Sequence, residues 1–418
     1  MKKFVSAVAL TAVVLSVLSM SACDNDKNEI SESSTPAEEE SIQSSVVVSQ
    51  THESSQISWE ESKIAENAIT SAQINEMSSV LDSCQYMPRF YSEGSYLNAK
   101  SVSGGKIITL ITDDLNSSYN KLVAEQFKVA AESAGFYKYI VAKTDGTENS
   151  INNALNSAVN GKSDIIFMFG NIDKDTFATN IEYAQANGIE VVSAGGVTAG
   201  QNDHFADYTM PVDYASIGQY LADWTIVKTK GKANVLAVNR TDSLLSNTVA
   251  VGFKNEFDKY ISGVTGYCKG VSATSAEIGN TLTDKIVQAL RSDGKLNYIA
   301  VLDETMIDDA VSAVRELGLK IPVISTGGSD EAFDSVRYSK IEMLIGQSYE
   351  WTAYGMVDYA LRLAGDIDRP SEQYVPFRVL THDVISNAID NFGGLSGNFN
   401  RICFGSEFEY GYGSLWRL

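Results

Sequence analysis

Histidine is nearly missing from this chain. His52, His204 and His382 are the only three in 418 residues. No H-E-x-x-H, G-x-S-x-G or P-loop pattern is present, so the commonest hydrolase and nucleotide-site chemistries lack their residues. Cysteine is almost as scarce, and Cys23, Cys84, Cys268 and Cys403 show no C-x-x-C spacing. With no neighbouring histidine pair, a zinc site is not expected, and no cofactor is implied. Basic residues are short as well, 32 Lys and Arg against 53 Asp and Glu, for a net charge of −21. A nucleic-acid partner needs a basic face and is excluded. After residue 22 no apolar run is long enough to cross a bilayer.

The chain opens with an apolar stretch. Lys2 and Lys3 precede residues 4–22, which are apolar or small and uncharged. "MSAC" then sets Ser21 and Ala22 before Cys23. This resembles a bacterial lipoprotein signal peptide with its lipobox, Met20 departing from the usual leucine. The resemblance implies cleavage before Cys23 and a diacylated thiol, an anchor worth about 0.8 kcal/mol per buried CH₂. The alternative is an uncleaved membrane helix; the positive start and small residues before the cysteine favour the signal peptide. The expected address is the extracytoplasmic face of the cell membrane, reached through lipid alone.

Residues 23–75 read as a tether. After Cys23 they carry eleven acidic residues against Lys27 and Lys63 and are rich in Ser, Glu and Gln. Such a segment buries too little apolar surface to offset its ordering entropy. A coil of this length has a reach of roughly 40 Å.

From residue 76 onward the chain is large for one core, so two lobes are expected. Short β-branched runs alternate with helical patterns. "KIITLIT" (106–112) precedes a helix ending at Gly135; "DIIFMFG" (164–170) precedes one ending at Gly188. "ANVLAVN", "VTGYCKGV", "YIAVLDE", "PVISTGG" and "EMLIGQS" continue the rhythm to residue 348. Strands alternating with helices of 10–15 residues mean βαβ units and parallel sheets. The expected fold is α/β, two doubly wound parallel-sheet lobes in series. Ligands of such sheets bind at the carboxyl ends of the strands.

From residue 106 to about 390 the chain resembles a type I solute-binding protein of ABC importers, in the ribose- and galactose-type cluster. The resemblance rests on loops in order: "TDDLNSSYNK", "ANGIEVVSAGG", "MPVDYASIGQYLADW", "NTVAVGFKNEF", "AVLDETMIDDAVSAV" and "LIGQSYEWTAYGMVDYALRLAGD". It implies a three-strand hinge, with lobe 1 at 101–211 plus 348–378 and lobe 2 at 212–347 plus 379–391. It implies a binding protein rather than an enzyme, a monomer that closes on a small polar, sugar-like solute and delivers it to an ABC permease. A sensor presenting its closed form to a kinase or chemoreceptor is the rival reading. Glycoside hydrolysis by a carboxylate pair is a weaker third.

The candidate ligand residues follow from that likeness. Asp113, Asp114, Asn116 and Tyr119 end the first strand, though Asp and Asn there also read as helix caps. Asn247 stands where sugar binders place an arginine, and Asp303 where they place an asparagine. Gln347 sits at a lobe crossing, and Trp351 either stacks on ligand or covers the hinge. Asn239, Arg240 and Asp242 close another strand-end loop. The family's two hydroxyl-clamping aspartates are replaced by Gly195 and Gly327, which remove charge and open room; Asp203 and Asp330 are candidate substitutes. With Arg240 and Lys174 the only obvious bases, a neutral polyol, a larger glycoside or a cationic molecule fits better than an anion.

Two extensions have no counterpart in the family, residues 76–100 and 392–418. Both are rich in aromatic residues and are expected to pack. Cys84 and Cys403 lie in them and form a candidate disulfide, permitted outside the cytoplasm.

Overall fold

The computed structural model describes residues 57, 59, 68–92, 94–195, 206–210, 212–261, 265–370, 373–392 and 398–418. The expected signal peptide, the lipidation site Cys23 and Asp203 lie outside the described residues.

The chain enters through α1 (Ser71–Ser83) and α2 (Ala99–Ser103), then builds a first parallel sheet. Its strands are β1 (Ile107–Thr112), β2 (Lys138–Val141), β3 (Ile165–Phe169), β4 (Glu190–Ala194) and β5 (Tyr208–Met210), in the order β2-β1-β3-β4-β5. Helices α3 (Ser118–Ala134), α4 (Glu148–Asn160) and α5 (Ala178–Ala186) connect them. The helices stop where the backbone must turn left-handed. Gly135 takes φ 83° after α3 and Gly188 takes φ 76° after α5, a conformation glycine adopts without a Cβ clash. Helix α5 starts later than its sequence pattern, because the Asp173 carboxylate holds Asp175 N and Thr176 Oγ1 in a turn ahead of it.

A second sheet follows α6 (Ala215–Thr229). It contains β6 (Asn234–Arg240), β7 (Tyr267–Ala273), β8 (Tyr298–Val301), β9 (Val323–Gly327), β10 (Met343–Gln347) and β11 (Phe377–Thr381). Their order is β11-β10-β9-β8-β6-β7, parallel except for β11, which pairs antiparallel with β10. The remaining helices are α7 (Leu244–Tyr260), α8 (Leu282–Ser292), α9 (Ile307–Glu316), α10 (Asp330–Arg337), α11 (Tyr349–Ala364), α12 (His382–Phe392), α13 (Phe399–Phe404) and α14 (Glu407–Leu415). Strand β3 is buried along its whole length, as is β9. Helices on both faces explain their continuous apolar runs. The chain changes sheet three times: after β5, after β10 where α11 returns to pack on α3, and after α11 on the way to β11.

The terminal extensions are built into this body. The Leu97 and Ala99 amides donate to the carbonyls of Leu415 and Trp416 at 2.9 and 3.0 Å. Between them and α11 lies an aromatic cluster. Phe90 meets Tyr412 edge-on at 4.9 Å, and Tyr354 stacks on Trp416 at 5.8 Å. Trp351 is fully buried in this cluster against Phe90, Tyr374 and Phe408. Beneath it lies a fully buried ion pair, Arg362 Nε donating to Asp358 Oδ2 at 2.9 Å. Arg362 also donates to the carbonyls of Ser95 and Asp368, and the Trp416 indole donates to Asp358 Oδ1 at 2.8 Å.

Two expectations are corrected. Residues 71–75, expected to belong to the tether, are instead part of α1, opened by a Thr70–Gln73 capping box. Upstream, Trp59 lies on Gly270 of β7 and its indole donates to Asn239 Oδ1 at 3.2 Å. The candidate disulfide is absent, since Cys84 and Cys403 are free thiols. Their segments are joined by Arg378 instead, whose guanidinium donates to the carbonyls of Gln85 and Cys403. Burial pushes the Cys403 thiol up to about 12, which disfavours the thiolate that disulfide exchange requires.

Replacing Arg362 with Met leaves the buried Asp358 carboxyl without its charge partner. The expected loss of unfolding free energy is about 3–5 kcal/mol, measured by urea denaturation. A loss under about 1 kcal/mol, the range of exposed pairs, would show that this pair does not anchor the extensions.

Candidate functional site

The carboxyl ends of both sheets converge on a cavity of about 100 Å³. From the first lobe come Asp113 after β1, Tyr119 and Asn120 on α3, and Gly170 and Asn171 after β3. From the second come Arg240 at the end of β6, Asp303 and Glu304 after β8, Gly327 and Gly328 at β9, and Gln347 at β10.

Charge organises the site. Arg240 Nε donates to Asp242 Oδ1 at 2.9 Å, and its Nη1 lies 3.9 Å from Asp303 Oδ2. Burial works against the guanidinium charge, but Asp303, Asp242 and Asp113 outweigh it and raise its pKa. Asp113 reaches this field from the opposite lobe. Burial raises the Asp113 pKa, opposed by Asn120 Nδ2, which donates to its Oδ1 at 2.5 Å, and by Arg240.

Glu304 forms a second polar centre. Its Oε2 accepts from the Gly328 amide at 2.8 Å, the Ser329 amide at 3.0 Å and Ser329 Oγ at 2.9 Å. These are the free amides ahead of α10, where a carboxylate is favoured by the helix dipole. Burial nonetheless pushes its pKa up to about 7. A Cβ at Gly327 would run into this carboxylate. The room left by glycine at 327 is therefore filled by Glu304, and a carboxylate is retained near a place where the sequence shows none.

The lobes meet directly around the cavity. The Tyr119 ring lies against Gly328, where any Cβ would strike it, and its hydroxyl is 3.4 Å from Thr352 Oγ1. Asn171 spans the gap: its Oδ1 accepts from the Leu244 amide at 2.6 Å and its Nδ2 donates to the Asp242 carbonyl. Gln347 is buried and donates to Thr326 Oγ1 at 3.0 Å. The structure is thus a closed one, in which the protein's own groups satisfy each other across the cleft.

Of the residues singled out from sequence, Asp113, Tyr119, Arg240, Asp303, Gly327 and Gln347 line the cavity. Others do not. Asn116 is exposed, its amide taken up by Asp114 Oδ1 in a local turn. Asn247 faces its own loop, donating to the Thr241 carbonyl at 3.0 Å. Gly195 packs against the Phe169 ring in a left-handed conformation, φ 72°. Asn239 is buried under Trp59 and Ser272, and Trp351 belongs to the aromatic cluster described above. Lys174 and Asp330 lie outside the cavity lining. Sequence reasoning missed Asn120, Asn171 and Glu304. Glu304, next to Asp303 in "LDETM", and Asn120, next to Tyr119 in "TDDLNSSYNK", carried a local signal; Asn171 did not.

Among the described residues no group of three or more His, Cys, Asp or Glu could hold a metal ion, and no helix is long and apolar enough to cross a membrane. Residues 108–366 match the periplasmic binding protein domain family, and the chain belongs to it. Its two sheets and three crossings are the type I fold of that family. Several solved structures share the architecture. A periplasmic solute-binding protein of an ABC transporter from Actinobacillus succinogenes 130z with bound D-allose is 18% identical, TM-score 0.57, over 68% of this chain and 99% of that one. AraP, an arabinose-binding protein from Geobacillus stearothermophilus, is 18% identical, TM-score 0.56, over 68% and 98%. An ABC transporter solute-binding protein from Agrobacterium vitis bound with α-D-tagatopyranose is 14% identical, TM-score 0.59, over 69% and 98%. At these identities the likeness shows the fold. No curated protein matches the chain.

The Glu304 carboxyl sets a pH dependence. Its folded pKa of about 7 lies above the ordinary 4.5, so the folded state binds the extra proton. Stability from this group is complete below about pH 4.5 and falls as pH rises through 7. Glu304→Gln, which keeps an acceptor for the Gly328 and Ser329 amides, is expected to flatten the decline between pH 5 and pH 8 by on the order of 1–3 kcal/mol. Urea denaturation at the two pH values checks it. An unchanged slope would place the proton elsewhere.

Proposed function

We propose that this protein is an extracytoplasmic solute-binding lipoprotein, anchored through Cys23, that closes on a small sugar-like solute and delivers it to an ABC permease. The observation that carries the reading is the interlobe cavity, with Arg240 held between carboxylates of both lobes and Asn171 bridging them. Solved structures of the same fold carry bound D-allose and α-D-tagatopyranose.

A cavity of about 100 Å³ is below the roughly 300–1,000 Å³ of ligand pockets. Solute entry therefore requires the lobes to part, breaking the Asn171 bridge. Ligand then favours closure by its differential affinity for the closed state. Asp113, Asp303 and Glu304 accept hydrogen bonds and Arg240, Asn120 and Gln347 donate, a mixture suited to paired hydroxyls. Carboxylates outnumber the single guanidinium, which favours a neutral polyol or a cationic sugar over an acid.

A thermal-shift screen over D-allose, D-tagatose, L-arabinose, cyclitols and amino sugars tests this. A ligand at a hundred times its Kd adds about 2.7 kcal/mol and raises the melting point. Asp113→Ala and Gln347→Ala are each expected to weaken the best ligand by about tenfold or more. If no sugar or polyol shifts the melting point at millimolar concentration, the reading fails.

A further inference from the structure

A larger pocket lies away from the interlobe cavity, on the hinge. Its volume is about 520 Å³, within the range of sites that enclose small molecules. Three segments wall it: residues 83–92 of the N-terminal extension, the start of α6 (Asp213, Ser216, Tyr220), and the returning crossing, with Pro370 and residues 373–377. The first lies outside the residues matched to the family, 108–366. That wall is therefore one the chain adds to the common fold.

Its lining has a consistent chemistry. Tyr91 and Tyr374 form an edge-to-face corner, centroids 6.2 Å apart at 89°. Tyr86, Tyr220 and Phe377 add further rings. Asp213 is the one carboxylate; its oxygens accept from the Ser216 amide and hydroxyl, which leaves its negative charge at the wall. Among the described residues no lysine or arginine lines the pocket; the Arg378 guanidinium lies behind its wall, 4.0 Å from Met87 Sδ and bonded to the Gln85 and Cys403 carbonyls. Gln373 is 4% exposed; its Nε2 donates to Tyr412 Oη at 2.9 Å and its side chain packs on Gly355.

Aromatic faces attract a cation through the ring quadrupole. A carboxylate adds to that attraction. We propose that the hinge pocket is a second binding site, for a small organic ammonium compound. Two of its three walls are interlobe crossings, so an occupant touches the segments that bend when the lobes part.

Calorimetric titration of the full chain with choline tests the proposal, with 3,3-dimethyl-1-butanol as the neutral isostere. Choline is expected to bind saturably at one site, and the isostere about tenfold more weakly or worse, as befits a charge–quadrupole contact. Tyr374→Leu and Asp213→Asn are each expected to weaken choline at least about fivefold. The Asn at 213 keeps an acceptor for the Ser216 amide, so this variant reads charge even if Tyr374→Leu does not fold. Asp113→Asn, in the interlobe cavity, is expected to leave choline binding within about twofold. No saturation by roughly 10 mM, equal binding of the isostere, or loss of choline binding in Asp113→Asn alone would each overturn the proposal.

Discussion

A guanidinium without access to water ties the two ends of this chain to one helix. Arg362 on α11 pairs with Asp358 one turn earlier, and its other donors reach Ser95 from the N-terminal extension and Asp368 from the returning crossing. Trp416, two residues before Leu418, donates to the same aspartate. A buried charge is tolerable only when paired and fully hydrogen-bonded. The pair therefore fixes where both extensions must lie. Gly94 follows from it, since any side chain there would occupy the space of the Arg362 guanidinium.

The consequence reaches the hinge. Helix α11 begins one residue after Ser348, the point at which the chain leaves the second sheet. Ser348 Oγ donates to Asn400 Oδ1 on α13 at 2.6 Å, and Asn400 Nδ2 donates to the carbonyl of Gln347, itself a cavity residue. The β11 crossing is held the same way, Arg378 donating to the carbonyls of Gln85 and Cys403. Thus two of the three crossings are fastened to the extensions. Their dihedrals cannot change independently of the aromatic cluster, so the set of lobe motions is narrower than three free strands would permit.

The repeating strand and helix pattern was legible because parallel strands covered on both faces must be apolar throughout, as β3 and β9 are. Helix ends were legible where a glycine turns left-handed, at Gly135 and Gly188. The three-residue β5 was too short to stand out, and in β11 Arg378 interrupts the apolar run. At the site, residues at strand ends could be placed because the topology alone positions them, as with Asp113 and Asp303. Trp351 could not, since its burial depends on chain ends that fold back from either side. Asn171 was invisible for the same reason: its partners at 242 and 244 lie in the other lobe. Asn247 lies off the cavity because its side-chain amide is taken up by the Thr241 carbonyl of its own loop, and Asn116 because the Asp114 carboxylate holds its backbone N–H in a local turn.

The glycines of the cleft show how composition and geometry trade places. Read along the chain, glycine at 327 suggests a lost carboxylate and an emptier site. In space, Glu304 reaches into the vacated volume and is held there by the amides at 328 and 329. Its charge is opposed by burial and supported by the α10 terminus, and burial prevails, pushing its pKa up to about 7. A shorter Asp on the β9 backbone would sit where its own strand dictates. A Glu arriving from the β8 loop is positioned by the N-terminus of α10 instead, so its oxygens meet the cavity from a different direction. Solute selectivity at this wall then depends on how the β8 and β9 loops pack together, and a substitution in either loop alters the same carboxylate.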